Sequence, residues 1–334
     1  RVVGSVAAGA GPAVEVGAGE AVRVMTGAPI PPGADAVVMV ERTEATDGGG
    51  TVVVHHRARL GDHVRGPGED VRAGQELFPA GTVLGPGHLG VLASVGRGDV
   101  AVHRRATVGV LSTGDELVDG GGPLRPGQIR DSNRPTLLAL VRRAGAAAVD
   151  LGRCADSKDH LGDALRGGAA LCDAVVTSGG VSVGDFDYVK VVLDELSGGT
   201  MEWMQVAVKP AKPLALGTIG RTPVLGLPGN PVSSMVSFEL FARPALLTMM
   251  GHRDVDRPRV RAVADEPLRR RPDGKLHLVR VRSRWGDDGR LHVTPAAGQG
   301  SHMLHAMATS DALALVADGA GVERGEDVDV VLVT

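Results

Sequence analysis

Thr107-Val-Gly-Val-Leu-Ser-Thr-Gly-Asp-Glu116 and Ala174-Val-Val-Thr-Ser-Gly-Gly180 are two apolar, β-branched runs that pass directly into polar, glycine-bearing loops. Each reads as a buried strand with a loop at its carboxyl end. Further strands are expected near 148–151, 205–208 and 223–227. Helical periodicity covers 135–144, 158–171, 188–196 and 231–250. Strands alternating with helices of 10–15 residues specify a mainly parallel sheet covered on both faces, which is an α/β domain. In such sheets ligands bind outside the carboxyl ends of the strands.

The flanks read differently. Residues 20–25 alternate, 36–40 and 51–54 are short β-branched runs, and Pro31-Pro-Gly and Asp47-Gly-Gly-Gly mark turns. From 258 onward strands are expected at 259–263, 276–281, 291–294 and 328–333. The organisation is a β-rich domain at 1–65, a small linking domain at 66–103, the α/β domain at 104–252 and a C-terminal β-domain at 253–334. Arg1 falls within a strand-like run, so further chain is expected upstream.

Hydrophobic residues make up 43% and charged residues 22% of the 334, a globular composition. Aromatics at 2% supply no stacking platform for single-stranded nucleic acid, and a net charge of −3 gives no electrostatic case for DNA or a membrane surface. Two cysteines make neither a disulfide framework nor a four-thiolate zinc site, so a reducing, cytoplasmic setting is expected.

Four loops stand where strands of the α/β domain should end: Ser112-Thr-Gly-Asp-Glu-Leu117, Thr177-Ser-Gly-Gly-Val-Ser-Val-Gly-Asp185, Lys209-Pro-Ala-Lys-Pro213 and Gly226-Leu-Pro-Gly-Asn-Pro-Val-Ser-Ser234. Glycines in the second and fourth let backbone N–H groups approach a phosphate, and a helix N-terminus favours an anion. Asp115, Glu116, Asp173, Asp185 and Asp187 are candidate Mg²⁺ ligands, since Mg²⁺ takes one or two carboxylates together with substrate phosphates. Their competing role is helix capping, as is that of Asn133 before the 135–144 helix. Lys209 and Lys212 flank a proline-stiffened loop suited to one anion. The pairs His55-His56 and His302/His305 lack further converging ligands and are read as surface or packing residues.

Seven ordered motifs carry a resemblance: Met25-Thr-Gly-Ala-Pro29, Ser112 to Leu117, Asp131-Ser-Asn133, Ser178 to Gly184, Lys209 to Pro213, Gly226 to Val232 and Gly298-Gln-Gly-Ser-His302. Together they resemble the MoeA family of molybdopterin molybdenumtransferases along the whole chain. The resemblance implies an enzyme that inserts molybdenum from molybdate into adenylated molybdopterin, releasing AMP with Mg²⁺ as cofactor. It implies that Thr26, Glu116, Asp173 and Asp185 are catalytic, with Asp115, Glu116 and Asp185 on the metal. Molybdopterin and its phosphates would lie on Ser112, Thr113, Gly114, Asp131, Asn133, Ser178, Gly179, Gly180, Ser182 and Gly184. Molybdate would be held by Lys209, Lys212, Ser233, Arg280 and Ser301.

The resemblance further implies a homodimer, with Thr26 brought near the partner's α/β domain, and contacts with other cofactor-biosynthesis proteins. The family's Asp-Gly-aromatic-Ala motif, which lies upstream, has no counterpart after Arg1. Ala211 stands where the family usually carries Gly, a change that fits if φ is negative there. Two other readings are a molybdopterin adenylyltransferase or related hydrolase on the same module, and a non-catalytic molybdopterin-binding scaffold. For Arg280 the competing reading is an ion pair with Asp265.

Overall fold

The computed structural model describes residues 1–11, 13–181 and 188–333. It divides into two compact units, Arg1–Ala80 and Gly81–Thr334. In the first, β1 (Val2–Val6) pairs in parallel with β2 (Ala21–Val24). A hairpin joins β3 (Thr43–Thr46) to β4 (Thr51–Val54), and Gly48 and Gly49 take positive φ at its turn, which glycine adopts without steric cost. Residues 36–40 do not form the expected strand. The Val37 N–H donates to the Asp62 carbonyl and the Asp35 carbonyl accepts from Gly61, so a loop takes the bonds a ladder would have used. Val6 and Pro31 are the buried apolar side chains among this unit's described residues, while Met25, Met39, Val40, Val53, Val54 and Leu60 are exposed.

The second unit opens with α1 (Pro86–Ser94) and β5 (Thr107–Thr113), followed by a short parallel pair, β6 (Leu117–Val118) and β7 (Ile129–Arg130). Next come α2 (Asn133–Arg143), β8 (Ala147–Cys154), α3 (Lys158–Leu171), β9 (Ala174–Ser178) and α4 (Tyr188–Ser197). After these lie β10 (Glu202–Gln205), β11 (Val208–Lys209), β12 (Pro213–Ile219) and β13 (Thr222–Leu227). The central sheet has the order β10-β12-β13-β9-β5-β8; β13, β9, β5 and β8 run parallel, and β12 alone is reversed against its neighbours.

Alternation along the strands separates the two faces. Val108, Val110, Val176 and Leu225 pack under α2 and the helix after 231, whereas Leu111, Val175 and Val224 pack under α3 and α4. The expected strand at 205–208 is split between two sheets, because β10 belongs here and β11 pairs with a C-terminal strand. The β12 strand carries no clear strand signal in the sequence, because Pro213 at its head and Gly217 within it are turn residues by local rule. Gly217 is required by contact, since a Cβ there would overlap Met201.

The long helix is α5 (Pro231–Ser237), a π turn at 238–242, and α6 (Arg243–Met249). Pro244 has no N–H to continue the ladder, and the π turn absorbs the break by letting Arg243 N–H reach the Phe238 carbonyl. The C-terminal part contains β14 (Arg259–Ala264), β15 (Leu268–Arg269), β16 (Leu276–Trp285), β17 (Leu291–Pro295), α7 (Leu304–Ala308), β18 (Ala312–Val316), β19 (Gly321–Val322) and β20 (Asp327–Leu332). Its main sheet runs β11-β16-β17-β14-β20-β18, and β18 also pairs with β16, so five strands close into a barrel without free edges. No helix of the described residues is long and apolar enough to cross a membrane.

Candidate functional site

Three parallel strands end level with one another. Ser112 lies opposite Ser178, and Ser178 opposite Leu227, so the loops after β5, β9 and β13 leave the sheet side by side. The first two loops meet only because residue 179 is glycine: a Cβ there would sit 2.9 Å from the Thr113 carbonyl, and Gly229 comes within ordinary packing distance of the Gly179 Cα. The Gly179 N–H donates to the Leu227 carbonyl at 3.1 Å and the Gly114 N–H to the Cys154 carbonyl at 3.3 Å. These two N–H groups brace the cradle, so the Gly179 N–H is not the phosphate donor expected of a glycine in the 177–185 loop. Ser112, Thr113 and Ser178 are buried within it.

Asp131 and Asn133 tie the cradle together. Asn133 Nδ2 donates to Ser178 Oγ and to the Gly229 carbonyl, both at 2.7 Å. The Asp131 carboxylate accepts from Ser112 Oγ, from Arg134 N–H at 3.1 Å and from Arg134 Nε at 3.1 Å. Asp131 therefore caps α2, the role the sequence gave to Asn133. Arg134 also pairs with Asp119 and Asp150, neither singled out from the sequence. A cleft of about 300 Å³ opens beside this network, lined by Asp119, Arg130, Asp131, Arg134 and Asp150. It shares Asp131 with the cradle but none of the glycine loops.

The candidate acids separate. Glu116 is exposed and its carboxylate folds over Gly114, whose φ of +145° and lack of Cβ make the room. Asp115 accepts the Asp156 N–H at 3.1 Å, which ties it to the loop after β8. Asp173 is at the wrong end of the sheet. It precedes β9, and its carboxylate accepts the Thr107 N–H at 2.7 Å and pairs with Arg104. Arg104 and that N–H hold its carboxyl down at about 2. About 20 Å of strand separates Thr107 from Thr113, so Asp173 is a structural anchor and not part of the catalytic set. Ser182, Gly184, Asp185 and Asp187 lie outside the described residues.

The proposed oxyanion residues gather where the barrel meets the α/β domain. Ala211, Val232 and Leu278 share one apolar cluster, which places the lysine loop, the start of α5 and β16 together. Arg280 lies two residues beyond Leu278 on the same strand face. The Val232 N–H donates to the Ser301 carbonyl at 3.0 Å, which places Ser301 beside Ser233. Arg280 is 0% exposed. Its Nη2 donates to the carbonyls of Gly298 (3.2 Å) and Gly300 (3.3 Å), while Nε and Nη1 are buried with no partner. Burial pushes its pKa below the ordinary guanidinium value. The competing ion pair does not form: Asp265 serves Arg284 and His292.

Lys209 and Lys212 are both exposed, and Lys209 Nζ lies 3.9 Å from Asp273. Ala211 between them has φ of +85°, opposite in sign to the expectation. Thr26 is exposed in the first unit, in the turn after β2. Gln299, which the sequence places in the 298–302 motif without giving it a role, bonds the main chain of Arg280 on both sides.

Comparison with known proteins places the chain in one family. Residues 1–96 match the family model described as "MoeA N-terminal region (domain I and II)", 109–248 "Probable molybdopterin binding domain", and 261–333 "MoeA C-terminal region (domain IV)". A molybdopterin molybdenumtransferase of Haemophilus influenzae is 36% identical over 312 residues, covering 93% of this chain and 76% of the relative. One of Mycobacterium tuberculosis, molybdopterin molybdenumtransferase 2, is 43% identical over 78% of this chain and 64% of its own length. The molybdopterin biosynthesis moeA protein of Pyrococcus horikoshii OT3 superposes with a TM-score of 0.80 at 26% identity, covering 99% of this chain and 80% of that one.

Proposed function

This chain belongs to the MoeA family of molybdopterin molybdenumtransferases, and on that premise we propose that it inserts molybdenum from molybdate into adenylated molybdopterin, releasing AMP. The observation that carries the reading is the buried Arg280 guanidinium with Nε and Nη1 unpartnered. A buried cation without an acid is costly unless a ligand supplies the negative charge and the acceptors. Molybdate, a tetrahedral dianion, supplies both. Ser233 and Ser301 offer hydroxyl donors, and Lys209 and Lys212 bring further positive charge from the loop between the two sheets.

Ahead of Glu116, the glycine cradle is the surface for the pterin and its phosphates. No three His, Cys, Asp or Glu side chains among the described residues gather around a metal. The hard oxygens of Glu116 and Asp115 nevertheless suit Mg²⁺, which completes its shell from substrate phosphates and water. Mg²⁺ held there by Glu116, Asp115 and Asp185 would neutralise phosphate charge as AMP leaves. Thr26 acts from the partner of a homodimer, and the protein works in the cytoplasm. The test titrates molybdate against AMP release. Arg280→Ala should raise the molybdate requirement about ten- to a hundredfold, the worth of one charge-assisted bond, and leave molybdopterin binding near normal. An unchanged titration with a lowered thermal midpoint would make Arg280 a folding residue and remove the main support.

A further inference from the structure

We infer that Gln299 is the positioning residue for the oxyanion site, fixing the orientation of the Arg280 guanidinium; the inference rests on the reading of Arg280 given above. The ladder between β16 and β17 ends at Val281 opposite Pro295. Ala296 still donates to the Arg280 carbonyl at 2.9 Å, after which the chain turns away. From that point nothing in the neighbouring strand can accept the Arg280 N–H. The Gln299 side chain takes the place of the missing residue: Oε1 accepts the Arg280 N–H at 3.0 Å, and Nε2 donates to the Arg280 carbonyl at 3.0 Å. Nε2 also reaches the Ala296 carbonyl at 3.1 Å, closing the loop on itself. One primary amide thus reproduces the two-way exchange of a hydrogen-bonded strand pair.

The consequence falls on the guanidinium. Gln299 is the single residue between Gly298 and Gly300, whose carbonyls are the acceptors of Arg280 Nη2. Pinning Gln299 pins both carbonyls, and two acceptors on one nitrogen fix the plane in which the unpartnered Nε and Nη1 lie. The loop's turn uses Gly298 at φ of +85°, a conformation glycine takes without steric cost. Gln299 is itself exposed, so its amide serves the loop and not the packing of the core.

The experiment measures molybdate and molybdopterin binding by calorimetry, with thermal midpoints, for the parent protein, Arg280→Ala, Gln299→Leu and Gln299→Glu. Gln299→Leu should weaken molybdate on the order of tenfold while molybdopterin affinity stays within twofold of the parent. If Gln299→Leu fails to fold, Gln299→Glu carries the test. It keeps the acceptor for the Arg280 N–H, loses the donor, and should weaken molybdate alone. Molybdate affinity unchanged in the Gln299 variants but lost in Arg280→Ala overturns the inference and leaves the oxyanion site standing. Both affinities falling together makes Gln299 a structural residue and also overturns it. Molybdate binding untouched by Arg280→Ala removes the oxyanion site and the inference with it.

Discussion

Ala211 shows how much one dihedral angle decides. The residue is 1% exposed with φ of +85°, in the region where a Cβ crowds the following carbonyl. Its methyl packs among Val232, Val236 and Leu278, so the side chain recovers by contact part of what the backbone loses. Ala211→Gly relieves about 1 kcal/mol of that crowding and gives up about 0.4–1 kcal/mol through the freer unfolded chain, together with the methyl contact. Its urea midpoint should stay close to the parent's. Ala211→Val places a β-branched side chain in the same conformation and overpacks the cluster, so it should lose about 1–3 kcal/mol or more. A Val variant as stable as the parent would refute the positive φ. Composition and spacing carry no sign for φ, which is why the sequence could name this loop but not its backbone.

At the scale of elements, what could be read from sequence depended on whether the signal was local. The β5 and β9 strands are apolar runs with abrupt polar ends, and α3 has clean 3.6-residue periodicity with its bounds at Lys158–Leu171, so all three were legible. The β12 strand was not, because Pro213 and Gly217 are turn residues by local rule and only the pairing with β10 and β13 makes them strand. The same division holds for the site. Loops named by glycine and charge converge as expected, but Asp173 was misplaced because strand polarity, not loop membership, decides which end of a sheet an acid serves. The Asn133 tie likewise depends on contacts 45 and 96 residues away. Asn133→Ala should cost about 1–2 kcal/mol for the two lost bonds and weaken molybdopterin binding by loosening the loops at 178–180 and 229. Asn133→Asp turns the donor facing the Gly229 carbonyl into an acceptor and should do worse on both counts. Thermal midpoints and pterin binding on the two variants check the order, and an Asp variant equal to the parent would show that the tie is unimportant.

For the molecule as a whole, the first unit's poverty of core argues for a partner. With only Val6 and Pro31 as buried apolar side chains among the described residues and six large apolar side chains exposed, it gains little from burial alone. A homodimer covering these residues should give twice the chain mass by light scattering at micromolar concentration, and a monomer there would remove that expectation. Stability against pH should decline at both ends, through different groups. Asp173 has its pKa held at about 2 by Arg104 and the Thr107 N–H. Its contribution is complete above the unfolded value near 4 and is lost as pH falls toward 2. His292 behaves in the opposite sense. Asp265, at 2.7 Å from Nδ1, and Asp288 beside Nε2 raise its pKa above the ordinary imidazole value; Arg284 pairs with the same Asp265, and Arg290 pairs with Asp327. A raised folded pKa stabilises below the unfolded value of about 6.5 and loses that stabilisation as pH rises through the folded one. The parent's thermal midpoint should therefore decline as pH rises above about 6.5, and His292→Gln should flatten that limb while leaving the acid limb intact. Asp173→Asn should do the reverse. Midpoints measured across the pH range on both variants separate the two anchors, and a His292→Gln curve parallel to the parent's on the alkaline side would show that the Asp265–His292–Asp288 cluster does not couple protonation to folding.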